Sequence, residues 1–309
     1  MKKIFFLIQL FLWIMIGCKP GSDRLKIDLS GIPKKEIKIQ RFDIDLFQKH
    51  TADLKTFLEL LQPRYPFFLE TNLNDPSVVA DMQAYLDNPR TKEFQREVSV
   101  KYTDVGEIEK GLSEIFRHAG YYFPAFRTPR VYAYISGGDY QYPVQFADSV
   151  LLIGFDNYLG SSYKAYAADG LSAYQTARMT SEYVLPDAVH QLVKGLYPVT
   201  IPGNTLLEQM VESGKRLWLA EALAPEIAKN LIIRYTPEHY EWINKNEKHV
   251  WTAILTHQML YSSDGKVMRS FFSDGPFSAD FSKESPPRLG EWLGWQIVRA
   301  FMENNPDIS

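Results

Sequence analysis

Apolar and polar residues alternate through Ile37 and Ile39 in EIKIQRFDIDLF, the period-two pattern of a strand with one face in a core. The period then lengthens. Leu54, Phe57, Leu58 and Leu61 fall at i, i+3, i+4 and i+7 and predict a helix with one buried stripe. Asp75 before Pro76 gives a helix start, because the carboxylate can cap free N–H groups and proline has no N–H to lose. Phe94 and Val98 mark a third helix. Val105, Ile108, Leu112, Ile115 and Phe116 mark a fourth, with Gly120 placed to end it. The period shortens again in PRVYAYIS, which alternates, and in SVLLIGFD, whose unbroken apolar run suits a fully buried strand.

Helical spacing resumes near Ser172. Thr205 and Glu208 form a capping box for a helix carrying Leu206, Leu207, Met210, Val211, Leu217 and Trp218, and Pro225 closes it. Two further helices are expected between 237 and 261. A last one follows Pro286-Pro287, with Leu289, Leu293, Ile297 and Phe301 at helical spacing. No linker-like break interrupts residues 36–309. The pattern predicts an α+β fold, a mostly helical single domain with a small sheet.

The first residues read differently. Lys2 and Lys3 precede an apolar run from Ile4 to Gly17, broken only by Gln9. Fourteen residues is short of the roughly 20 that span a bilayer but suits a signal peptide. The run ends in Ile16-Gly17-Cys18, like a bacterial lipobox, although Met15 stands where an aliphatic residue is usual. Cys18 is the only cysteine in the chain, so disulfides contribute nothing to the fold. The expectation is a lipoprotein signal peptide, residues 1–18, cut before Cys18, which is then acylated. Residues 19–35, mixing Pro, Gly, Ser and charge, read as a tether, and 36–309 as the globular domain.

Composition narrows the partners. The 309 residues are 45% hydrophobic and 23% charged, ordinary for a globular protein. Net charge is −3; losing Lys2 and Lys3 leaves 32 basic against 37 acidic residues, or −5. An acidic chain without a basic run argues against nucleic acid. No Walker loop, nucleophile elbow or dinucleotide fingerprint is present, and SGGDY at 136–140 reads as a turn. Five of six tryptophans follow residue 217, so an aromatic patch competes with simple core packing.

One stretch raises a question of chemistry. In YVLPDAVHQLVKGLYP, His190-Gln191-Leu192-Val193-Lys194 has the spacing of the zinc-peptidase motif His-Glu-x-x-His. Glu212, 22 residues after His190, sits where a third ligand could stand on the next helix. Two replacements oppose metal chemistry. Lys194 is a cation at the second ligand position, and Gln191 cannot serve as a general base. With no metal, His190, Lys194 and Glu212 could satisfy one another as a polar cluster. Read alone, His190 is a helix residue at a cleft edge, and Glu212 a surface partner of Arg216.

The segments KIQRFDIDLF, LLIGFDNYLG, LLEQMVESGKRLWLAEALAPE, YEWINKNEKHVW and ESPPRLGEWLGWQIVRAFMENNP are spread along the chain, with the lipobox at Cys18 before them. Through these residues the chain as a whole resembles the gliding-motility lipoprotein family GldB of the Bacteroidetes cell envelope. That family is distantly similar to zinc peptidases of the gluzincin type. The resemblance therefore implies a zincin-like domain that has lost its metal chemistry. It also implies a protein anchored by lipid (palmitate among its acyl groups) and facing the periplasm. Such a protein would support gliding motility, or linked surface-protein secretion, through contacts with other envelope proteins, without catalysis, cofactor or metal. The competing expectation is an envelope hydrolase using an altered His190/Glu212 site.

Overall fold

The computed structural model describes residues 24–48, 53–147, 149–198 and 204–308. The expected signal peptide with Cys18, and residues 19–23 of the expected tether, lie outside the described residues. Four strands form one sheet: β1 (Ile39–Arg41), β2 (Arg130–Tyr134), β3 (Val144–Ala147) and β4 (Val150–Gly154). Their order is β1-β2-β4-β3, with β1, β2 and β4 parallel and β3 antiparallel at one edge. Nine helices of eight residues or more surround it among the described residues: α1 (Leu54–Leu61), α2 (Pro76–Asp87), α3 (Pro89–Lys101), α4 (Gly106–Tyr122), α5 (Val184–Leu196), α6 (Leu206–Leu223), α7 (Pro237–Thr256), α8 (Gly265–Phe272) and α9 (Leu289–Asn304). The chain is a single α+β domain, as the hydrophobic pattern predicts.

Side chains of β2 and β4 point alternately to two cores. Val131, Ala133, Leu151 and Ile153 join the larger one, with α3 to α9. Tyr132 and Leu152 face a smaller one made by Phe42, Leu46, Tyr65, Leu69 and the apolar stripes of α1 and α2. Burial on both faces is why β4, VLLIG, is a continuous apolar run. The most extensive helix pairing is α6 against α9. A Cβ on Gly294 would stand 1.7 Å from the Met210 carbonyl oxygen, and one on Gly214 2.1 Å from that of Gly294. The two backbones touch, so only glycine fits at either position.

Caps fall where the sequence places them. The Asp75 carboxylate accepts from Ser77 N–H, and Thr205 with Glu208 completes the capping box of α6. Three expectations change. Helix α4 runs through Gly120 to Tyr122, and a Cβ at Gly120 would meet Ile32 only at an ordinary contact of 3.7 Å. The region 237–261 holds one helix of 20 residues, α7, followed by a turn. Residues 24–35, expected as tether, are docked. Arg117 donates to the carbonyls of Leu29 and Ile32 at 2.7 and 3.0 Å, and Ser113 to that of Lys35 at 2.6 Å. The tryptophans after residue 217 pack in or against the core, with Trp292 and Trp295 fully enclosed.

Candidate functional site

The helix that carries HQLVK is α5, and it lies along the edge strand β3. Gly195 permits this closeness, since a Cβ there would come within 2.7 Å of the Phe146 ring. Where α5, the start of β3 and the turn after β4 meet, they enclose a cleft of about 300 Å³. Gln191 and Asp187 of α5, Val144 of β3, and Asn157 and Tyr158 after β4 line it, with Arg178, Arg234 and Asp274 from loops.

The structure separates the residues singled out in the sequence. His190 is partly buried, and its Nε2 is 2.7 Å from the Ile232 carbonyl oxygen. A carbonyl only accepts, so Nε2 carries the proton and cannot ligate a metal in this state. Burial, then the charge of Arg234, pushes the imidazole down to about 3, against the contrary pull of the Ile232 bond and with help from Arg288. It is neutral at any physiological pH. Lys194 is exposed. Glu212 lies 3.5 Å from Lys215 and 3.4 Å from the Tyr197 hydroxyl. Among the described residues no hydrogen bond or ion pair joins His190, Lys194 and Glu212, so the expected polar cluster does not form. Nor do three His, Cys, Asp or Glu side chains among them make a metal-holding group. Only Gln191 of the four reaches the cleft.

The charges in the cleft come from residues that no motif announced. Asp187 accepts from the Tyr158 hydroxyl at 2.7 Å and pairs with Arg234 at 2.8 Å. Asp274 pairs with Arg178 at 2.6 Å and with Arg288 at 3.4 Å, and these arginines hold its carboxyl below the usual range despite burial. Arg288 also donates to the carbonyls of Ile233 and Arg234 and pairs with Glu291. Tyr235, in turn, donates to the Pro287 carbonyl at 2.7 Å. His190 thus ties α5 to the segment that delivers Arg234, and Arg288 ties that segment to the start of α9. Both arginines adopt left-handed backbone, with φ of 59° and 56°. For a side chain of that size this costs about 1–3 kcal/mol each, strain that persists where the surrounding bonds fix it. The cleft is polar yet close to neutral, because each lining arginine has its aspartate. Two polar atoms at its wall, Asn157 Oδ1 and Arg234 Nε, are buried without a hydrogen-bond partner.

The neighbouring SGGDY turn is explained by the same wall. Ser136 donates to the Asp156 carboxylate through N–H at 2.8 Å and Oγ at 2.7 Å, and Gly138 N–H adds a third bond at 3.1 Å. Gly137 and Gly138 supply the positive φ this wrap needs. The turn cradles an internal carboxylate, which is why its donors are not available to a phosphate. Spacing could not reveal the Arg–Asp pairs, whose members lie at 178, 187, 234, 274 and 288. Of these only Arg288 stands in a segment that carries the resemblance, ESPPRLGEW.

Among the described residues no helix is long and apolar enough to cross a membrane. Comparison with curated proteins and with solved structures gave no significant match. Comparison with family models did: residues 22–309 match the family described as gliding motility protein GldB, and the chain belongs to that family of gliding motility proteins.

Proposed function

We propose that this gliding motility protein works as an envelope lipoprotein, anchored through Cys18 and facing the periplasm, that binds other envelope proteins and catalyses nothing. The observation that carries the reading is the chemistry of the cleft. An antiparallel edge strand lies beside α5 and α6 follows in the chain, which fits the zincin-like frame that the resemblance implies. Here Gln191 stands in the base position, His190 spends Nε2 on a backbone carbonyl, and two arginines with their aspartates line the space. A guanidinium stays charged and offers donors in a fixed fork, which suits recognition and opposes a nearby metal cation. On this reading the frame is that of a zincin without its metal, and the cleft serves as a surface for contacts.

The experiment is complementation of a deletion strain. Wild-type chain restores spreading on agar. Cys18→Ser, which cannot be acylated, leaves the protein uncut and fails to restore it. Gln191→Ala leaves spreading intact, because no proton transfer passes through that amide. Crosslinking from Tyr142→Cys beside the cleft captures an envelope protein in wild-type background. Loss of spreading with Gln191→Ala at normal protein level, together with stoichiometric metal, would move the reading to the hydrolase class.

A further inference from the structure

The first described residue, Arg24, is clamped to the far end of the last helix. Its guanidinium donates to the Met302 carbonyl at 2.7 Å, to that of Asn305 at 3.1 Å and to that of Ile308. A helix leaves its last carbonyls unpaired and carries partial negative charge there, so a cation is held well. Leu25 is buried directly after it. The chain therefore enters the globule at the C-terminal end of α9. Cys18 lies six residues earlier, which is at most about 20 Å of fully extended chain. A domain of this length has a radius of gyration of about 19 Å and is roughly 50 Å across. The leash is shorter than the body, so one end alone can face the anchor.

That end is not an ordinary polar surface. Phe301 is 51% and Ile308 43% exposed, and both adjoin carbonyls that Arg24 holds. Tyr121, 42% exposed, meets Tyr122 edge to face at 5.0 Å, and the charge of Arg24 acts on Tyr122. Exposed aromatic and aliphatic side chains grouped together are what a bilayer interface accommodates. Exposed Glu303 and Asp307 beside them disfavour an anionic surface.

We propose that the C-terminal end of α9, with Phe301, Ile308 and Tyr121 around the Arg24 clamp, is the face this protein lays against zwitterionic lipid headgroups. The inference rests on acylation of Cys18. It assigns α9 a second role. The helix has 16 residues, about 24 Å of rise, and its other end begins at Arg288 beside the cleft. Helix α9 is then a stand-off that holds the cleft above the membrane, turned toward partners.

The test uses the acylated full-length chain in phosphatidylcholine vesicles carrying headgroup nitroxides. Acylation consumes the only native thiol, so one introduced cysteine takes a fluorophore alone. A probe at Asn304→Cys is expected to be quenched several-fold more than one at Tyr142→Cys. Adding Arg24→Ala should lower quenching at 304 while the protein still floats with the vesicles, and Phe301→Ser with Ile308→Ser should do the same. Exchanging part of the phosphatidylcholine for phosphatidylglycerol should not raise it. Equal quenching at the two positions in floating protein overturns the orientation, and stronger quenching with the anionic lipid overturns the headgroup assignment. A chain that neither floats nor carries acyl mass overturns the anchor itself, and the orientation with it.

Discussion

His190 shows how one side chain changes meaning between sequence and fold. Its spacing suggests a ligand; its hydrogen bond to Ile232 makes it a rivet between α5 and the segment that carries Arg234. A histidine whose folded pKa lies below its unfolded one takes up its proton in the unfolded chain first. The stability it supports is complete above about pH 6.5 and is lost as pH falls from there toward 3. At about 1.4 kcal/mol per pH unit, going from pH 7 to 5 costs up to about 2 kcal/mol, less what the residue's margin of solvent contact returns. His190→Gln keeps a donor for the carbonyl and removes the titration. Urea midpoints at pH 7 and 5 should therefore fall further apart in wild type than in the variant. The Asp187–Arg234 pair makes a second case. Breaking a fully buried pair costs about 3–5 kcal/mol, and with Arg234 30% exposed the loss in Arg234→Gln should be nearer about 2 kcal/mol by chemical denaturation. Removing both charges with Arg234→Met and Asp187→Leu should recover most of it, which separates a stranded charge from lost packing.

At the scale of elements, the contact of α6 with α9 offers the sharpest prediction. Alanine for glycine inside an exposed helix adds about 1 kcal/mol of helix stability. At Gly294 or Gly214 the new methyl would strike backbone that cannot yield, and the expected result is a net loss of about 1–3 kcal/mol or more. Gly290→Ala should cost less, because it meets chiefly the Phe272 ring, which can turn. Glycines four apart at 290 and 294 suit close packing on one helix face, but nothing in the sequence names Gly214 as the residue that Gly294 meets. The same division runs through the fold. Period and capping signals located β2, β4 and most helices, because burial on one or both faces writes itself into hydrophobicity. Strand β3 left no such trace: VQFA is short and half open, and it is a strand only because β4 lies beside it. The site was the least legible part. Of its residues only Gln191 stood on a motif, whereas Arg178, Arg234, Asp274 and Arg288 are scattered polar residues until loops bring them together.

The whole molecule is a sheet between a large and a small helical layer, with a polar cleft at the exposed sheet edge and the entering chain clamped to one end. Membership of the gliding motility family says where such a protein serves; the capacity proposed for it rests on the cleft. The proposal that charge pairs stand where the zincin resemblance would place a metal is tested by elemental analysis of chain purified without chelator. The expected result is well under one equivalent of zinc, a melting temperature that chelator does not move, and the same values in His190→Ala apart from its loss of stability. One full equivalent of zinc, lost on His190→Ala and restored stability on adding the metal back, would contradict it.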